Sequence, residues 1–278
     1  LASIAGGNIL VGLPLPGSPQ VHNLIMMDYL NTSASAGLAL GLVSVAVGTT
    51  AAVIYLRYRS RSLLTDKNNL NDSVFKKPDL KKLLNFLTAM LPLLIVFVFL
   101  AFLSKPPVLA LLLGVLFSIF KNFKKIDLLN ILNNSISNAV LPLMFAASAM
   151  GFGRVISSLP VFKDFLQTLL NLPLNPYLLT GIIANVAAGL LGSASGGMLL
   201  TLSTVGENIV ELVDPKKLHR IIIIASTGLD TLPHNSAYLA MLAYTGLKFR
   251  ETYFDYFIVT VLAPLLSFGA AVIFILLF

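Results

Sequence analysis

The sequence IIIIASTGLDTLPHNSAYLAMLAY, residues 221–244, places an acid, a proline and a histidine between two apolar segments. Such an interruption is costly in lipid, where every charge and backbone group needs a partner. A second apolar stretch, residues 177–213, is interrupted by GSASGG at 192–197, and small residues allow tight turns. We predict a broken helix over 218–247 and a re-entrant hairpin over 177–213 with its tip at 192–197. One long helix with a small-residue packing face is the alternative for the hairpin.

The composition of the chain is typical of a membrane protein. Of its 278 residues, 56% are hydrophobic and 11% are charged, whereas soluble domains carry about 25% charged residues. There is no cysteine, which excludes disulfides, thiolate metal sites and cysteine nucleophiles. The net charge is +7, and eight of the 19 cations lie in one polar stretch after the apolar segment 36–55, which predicts a cytoplasmic loop rather than a nucleic-acid-binding surface. The cations of this stretch are Arg57, Arg59, Arg61, Lys67, Lys76, Lys77, Lys81 and Lys82.

The remaining segments predict an all-α polytopic membrane protein in three parts. Residues 1–56 form the end of a first repeat, a broken helix followed by a span; residues 57–85 form the cytoplasmic basic linker; residues 86–278 form the second repeat. Within the second repeat we expect spans at 86–103, 108–120 and 131–156, an interfacial helix at 160–175 and a last span at 254–278. Because the chain begins with Leu1 and without signal-peptide features, we expect a fragment whose upstream half is missing.

A short internal repeat links the two interrupted regions. PGSPQVHN, residues 16–23, and LDTLPHN, residues 229–235, each contain a hydroxyl side chain, a proline and then His-Asn before an apolar half-helix. Paired broken helices at corresponding positions are typical of inverted-repeat secondary transporters, whose substrate sites lie at the breaks.

The polar residues at the breaks suggest an anion site. Half-helices that begin after Gly197 and after Asn235 would direct their positive N-terminal ends at the breaks, which suits a carboxylate substrate. The side chains of Ser193, Ser195 and Thr231, together with the Asn235 amide, could bind a polyol or a hydroxy acid.

Two further residues are candidates for carrying a proton. Asp230 and His234 are four apart and would share a face if the local backbone were helical. His234 is favoured because imidazole titrates near neutral pH. A buried Asp–His pair that only caps the half-helix is the structural alternative. His22 and Asp28 are the corresponding residues of the first broken segment.

Enzymatic readings lack support, and we predict no cofactor and no metal. GSASGG has Ala194 where a serine-hydrolase elbow needs serine. Zinc-protease, Walker and Rossmann motifs are absent from the sequence. A channel remains an alternative, as does an intramembrane aspartyl protease using Asp28 and Asp230.

Three motifs carry a resemblance to a known family. Residues 225–255 and 184–207 closely resemble the gluconate:proton symporter (GntP) family, and residues 14–25 are similar to its hydroxybutyrate-permease-like members. The resemblance implies ion transporter superfamily architecture, a homodimer, elevator-like alternating access and proton-coupled uptake of gluconate, related sugar acids, 3-hydroxybutyrate or D-serine across a bacterial inner membrane. It implies a site formed by Ser193, Ser195, Gly196, Gly197, Asp230, Thr231, His234 and Asn235, faced by Ser18, Gln20 and Asn23 from the first repeat.

The sequence therefore predicts a proton-coupled symporter of small hydroxy-carboxylates, with Na⁺ coupling as the alternative. Its topology contains one conflict. If the loop after residue 57 is cytoplasmic, the hairpin enters from outside, and Lys216, Lys217 and Arg220 then lie outside against the positive-inside rule. A hairpin that crosses the membrane would remove the conflict.

Overall fold

The computed structural model describes residues 1–64, 80–101, 106–123, 127–210 and 212–278, and these residues form helices and loops without a strand. The all-α prediction is therefore confirmed for the described residues. Most of the predicted basic linker, at 65–79, lies outside them, as do 102–105 and 124–126. The helices are α1 (Ala2–Gly6), α2 (Val21–Leu30), α3 (Leu38–Leu64), α4 (Leu80–Ala101), α5 (Pro107–Asn122), α6 (Leu128–Ser158), α7 (Pro160–Leu170), α8 (Pro176–Leu191), α9 (Ala194–Val210), α10 (Pro215–Ser226), α11 (Ser236–Thr245), α12 (Phe249–Phe257) and α13 (Ala263–Leu277).

Two helical stretches of the described chain are long and apolar enough to cross a membrane, Leu38–Arg61 and Phe249–Leu277. The second consists of α12 and α13, joined by the π-helical turn Ile258–Leu262. The other apolar helices are shorter than a full crossing, including Phe86–Leu100 and Val108–Asn122. The predicted crossings outside the two long stretches thus remain predictions.

Both predicted helix breaks are present in the backbone. A π-helical turn, Gly7–Gly12, extends α1, and residues 13–20 then form turns before α2 begins. Proline lacks the N–H that a helix needs, so Pro14, Pro16 and Pro19 prevent the helix from continuing. In the second region α10 ends at Ser226, and residues 227–235 are irregular before α11. We call these two segments the first break (13–20) and the second break (227–235).

The hairpin is built from α8 and α9. Gly192 ends α8 with φ +57°, a left-handed conformation that favours glycine. A Cβ placed on Gly197 would lie 2.5 Å from the Cα of Ala188, so the two helices pack back to back at this point. The segment consists of two antiparallel helices joined at residues 192–193, not of one continuous helix.

The tight contact at Gly197 leads to a stability prediction. We expect Gly197→Ala to lower the melting temperature of the detergent-solubilised full-length protein by several degrees, because the new Cβ would meet the backbone of Ala188 rather than a side chain that can move. Gly196→Ala is the matched control, since the nearest neighbours of its Cβ would be side-chain atoms, the end of Leu191 at 3.2 Å and Ser193 at 3.5 Å. Equal melting temperatures for both variants would contradict the prediction.

Helix α10 lies at the centre of the fold. Every residue from Leu218 to Ser226 is buried, and Ile221, Ile222, Ile223 and Ile224 are at most 1% exposed. The helix contacts both arms of the hairpin, the two long helices and α2. Its two ends therefore reach both breaks, which positions the candidate site.

Candidate functional site at the hairpin tip and the second break

Asn235 joins the hairpin to the second break. Its Nδ2 donates to the carbonyl oxygen of Gly192 at 3.0 Å and to that of Asp230 at 2.9 Å. Its Oδ1 accepts from the backbone N–H of Tyr238 at 2.8 Å, which caps α11. The side chain is 5% exposed. One amide therefore closes the break, caps the half-helix and holds the hairpin tip.

Asp230 is a buried acid beside the hairpin tip. It is 7% exposed, and its Oδ1 has no hydrogen-bond partner. Its carboxyl group lies beside the backbone N–H of Ala194, the first residue of α9. The positive end of α9 therefore faces this carboxyl group. Acids that are buried at membrane depth are costly and mark functional sites.

His234 lies on the surface of the same site, with its ring over Gly192. A Cβ on Gly192 would lie 2.8 Å from His234 Cδ2, and the His234 side chain is exposed. Residues 227–235 form turns rather than a helix, so the condition under which Asp230 and His234 would share a helical face is not met. The alternative in which an Asp–His pair caps α11 is wrong, since the capping side chain is Asn235.

The remaining predicted residues of the second repeat have local partners. Thr231 donates from Oγ1 toward the Oγ1 of Thr260 at 2.9 Å and its carbonyl at 3.0 Å, which ties the break to the π-helical turn of the last long helix. Ser193 Oγ lies 3.3 Å from Ser195 Oγ and accepts from the backbone N–H of Gly196 at 3.3 Å. Both serines are half-buried at the hairpin tip. Ser193 and Ser195 are therefore more exposed than Thr231, which is 2% exposed.

The first break repeats the hydrogen bond of the second. Asn23 Nδ2 donates to the carbonyl oxygen of Ser18 at 3.0 Å, and the two residues are five apart, as are Asn235 and Asp230. The same amide also donates to Ser18 Oγ at 2.7 Å. The short sequence repeat thus aligns residues that close both breaks in the same way.

The two breaks do not share a hydrogen-bond network in the part of the chain that the structure describes. Asn23 bonds to His219 and Arg220, whereas Asn235 and Asp230 lie beyond the other end of α10. Arg220 and Ser226 alone are about 9 Å apart along the helix axis. Gln20 donates to Asn8 Oδ1 at 3.2 Å and contacts neither serine of the hairpin tip by a hydrogen bond. Ser18, Gln20 and Asn23 therefore form a separate cluster.

Two further buried polar residues, Asn185 and Arg220, lie at these clusters and are not among the predicted site residues, and the predicted proton candidate His22 is buried as well. Asn185 is 5% exposed, its Oδ1 has no partner, and a Cβ on Gly228 would lie 2.5 Å from its Nδ2. Its position in the apolar run GIIANVAAG was the available signal. His22 is 9% exposed, with both ring nitrogens unpartnered. Arg220 was counted as a loop charge but is fully buried.

No group of three or more metal-ligating side chains occurs among the described residues. The site therefore belongs to a helical protein with two discontinuous helices, and the second of them is hydrogen-bonded to the tip of a helical hairpin.

The chain is similar to YxjC, an uncharacterized transporter of Bacillus subtilis (strain 168), with 28% identity over 311 aligned residues that cover 94% of this chain and 66% of that protein. This chain thus spans slightly less than two thirds of the relative's length. No family model and no solved structure match the chain. The similarity supports a transporter and does not extend to the GntP family.

Proposed function

We propose that this chain is the larger part of a secondary active transporter that imports a small hydroxy-carboxylate together with a proton. The observation that carries the proposal is the pair of discontinuous helices, each closed by an asparagine that donates to the carbonyl five residues earlier. Backbone irregularity of this kind is tolerated at membrane depth only where it lines a cavity or is buried in protein. The similarity to a transporter agrees with this assignment.

The substrate would bind at the hairpin tip. The half-buried hydroxyls of Ser193 and Ser195 are available to hydroxyl groups of a ligand, and the positive N-terminal end of α9 attracts a carboxylate. Gly196 and Gly197 allow close approach of the ligand and of α8. Thr231 and Asn235 hold the break that forms the opposite wall.

The proton would be carried by Asp230. When ionised, this carboxylate already lies at the positive end of α9 and repels a substrate carboxylate. Protonation removes that repulsion, so proton binding favours substrate binding at the same place. His234 is the second candidate because its exposed ring packs against the tip residue Gly192.

The contacts of α3 support a hairpin that enters from outside. At the start of α3, a Cβ on Gly37 would lie 2.8 Å from the Lys216 carbonyl oxygen, so residues 214–220 lie at the N-terminal end of α3. At its other end, about 30 Å away, Arg59 pairs with Asp255 at 3.0 Å. With the basic loop in the cytoplasm, residues 214–220 are external. Arg220 is buried, which leaves Lys216 and Lys217 as the external cations of the segment 214–220.

This topology can be tested in the cysteine-free chain. We expect Lys216→Cys to react with a membrane-impermeant thiol reagent added to intact cells, and Ser60→Cys to react only after permeabilisation. Both side chains are exposed, so burial does not obscure the result. Labelling of both cysteines from the same side would contradict the topology.

Transport itself is tested with the full-length protein in proteoliposomes supplied with labelled gluconate, 3-hydroxybutyrate or D-serine. We expect saturable uptake of one acid that is stimulated by an inward proton gradient. Stimulation by Na⁺ instead would move the coupling to sodium, and non-saturating flux would favour a channel.

The same preparation, analysed by size and mass, tests the proposed homodimer, and cell fractionation tests the inner-membrane location. We also propose that residues 1–56 and 86–278 belong to two inverted repeats.

A further inference from the structure

Arg220 is a buried cation that is fully bonded to another part of the chain. Its side chain is 0% exposed, and its partners lie 184 or more residues earlier. Nε donates to the Ala36 carbonyl at 3.0 Å, and Nη2 donates to the Ala36 and Ala34 carbonyls at 2.7 and 2.9 Å. Nη1 donates to the Pro14 carbonyl at 3.1 Å and to Asn23 Oδ1 at 3.2 Å.

These five bonds use all five N–H donors of the guanidinium group. The charge is compensated by carbonyl oxygens, since no carboxylate partner of Arg220 occurs within the described ranges. A fully bonded guanidinium has no donor left for a substrate. Arg220 is therefore a positioning residue, not a ligand-binding one.

The partners of Arg220 are the parts of the first discontinuous segment that must stay together. Pro14 lies in the first break, Asn23 closes that break, and Ala34 and Ala36 precede α3. The Ala34 carbonyl also accepts from the backbone N–H of Gly17 at 2.8 Å. One side chain of α10 thus connects the first break, α2 and the entry to α3.

His219 strengthens this connection. Because a guanidinium only donates, the Asn23 atom that faces Arg220 is its oxygen, and that oxygen also lies 3.1 Å from His219 Nε2. Nε2 therefore carries the proton, and Thr32 donates to Nδ1 at 2.7 Å. A neutral imidazole in this tautomer bridges the two ends of α2.

We propose that Arg220 clamps α10 to the first discontinuous segment, so that the two discontinuous helices form one rigid unit and the first break keeps its shape. The consequence for transport rests on the proposed function. The clamp itself does not, and it is tested without a substrate.

The test is hydrogen exchange, measured by mass spectrometry on the full-length protein in detergent. We expect Arg220→Gln to speed exchange about tenfold or more in peptides covering 14–36, because four or five charge-assisted bonds are lost there. Arg220→Lys, with three donors on one atom, should give a smaller increase. Peptides covering α8, residues 177–190, should be unchanged.

A second variant disturbs the clamp without removing the guanidinium. Gly37 has φ +63°, and a Cβ there would lie 2.6 Å from Arg220 Cβ. We expect Gly37→Ala to give the same local pattern, whereas Gly7→Ala, which would meet nothing within 4 Å, should leave exchange unchanged. Unchanged exchange at 14–36 in both Arg220→Gln and Gly37→Ala would overturn the clamp. Equal acceleration at 14–36 and in α8 would also overturn it, because Arg220 would then support the whole fold.

The clamp also has a functional readout that is separate from folding. In proteoliposomes that contain equal amounts of folded protein, Arg220→Lys should lower the maximal rate more than it raises the KM for the transported acid, because the clamp lies at the end of α10 away from the hairpin tip. If wild-type protein transports none of the acids, the proposed function fails while the exchange experiment still decides the clamp.

Discussion

Asp230→Asn in the full-length protein is expected to abolish proton-driven accumulation while substrate exchange across the membrane continues. The asparagine amide resembles the protonated acid in shape and lacks its negative charge, so the substrate carboxylate meets no repulsion at the start of α9. It cannot release a proton, so a proton gradient can no longer drive net uptake. Wild-type uptake should fall as the external pH rises and Asp230 ionises, whereas exchange by the variant should be flat with pH.

Two controls separate Asp230 from other titrating groups. Asp28→Asn removes the exposed acid of the first repeat and should leave both accumulation and its pH dependence unchanged. His234→Asn tests the other proton candidate at the same site. If His234→Asn loses accumulation and Asp230→Asn keeps it, the proton is carried by the histidine and the assignment of Asp230 is wrong.

The positions of the helix breaks could be predicted because they depend on local chemistry. Pro14, Pro16 and Pro19 remove backbone donors, and Gly192 adopts a left-handed conformation that few other residues tolerate. The pairing of the motifs that end in Asn23 and Asn235 was also visible in the sequence. Its physical basis, a side-chain bond to the carbonyl five residues earlier, needed coordinates.

The contacts across the fold could not be predicted in this way. Arg220 has the sequence context of a loop cation next to Lys216 and Lys217, but its burial depends on carbonyl groups of residues 14, 34 and 36. Asp230 and His234 have helical spacing, yet the proline between them keeps the segment irregular. A single sequence shows how far apart residues are along the chain, but it does not show which distant segment supplies their hydrogen-bond partners.

Asn235→Asp should reduce uptake about 100-fold or more. The substitution keeps an oxygen that can cap α11, so the half-helix survives, but it replaces the Nδ2 donor with a second oxygen. That oxygen would face the carbonyls of Gly192 and Asp230, and two buried hydrogen bonds become two repulsive contacts. Each unsatisfied buried group costs about 1–3 kcal/mol, so the hairpin tip should separate from the second break.

Asn175→Asp is the matched control for this change. Asn175 caps α8 by accepting from the backbone N–H of Tyr177 at 3.0 Å, and its side chain is exposed. The same substitution at this position therefore preserves a helix cap and breaks no hydrogen bond between distant segments. Uptake should stay within about twofold of wild type. Initial rates with equal amounts of folded protein in proteoliposomes decide the comparison. Equal rates for Asn235→Asp and Asn175→Asp would show that the bridge from Asn235 to the hairpin tip is not needed for transport.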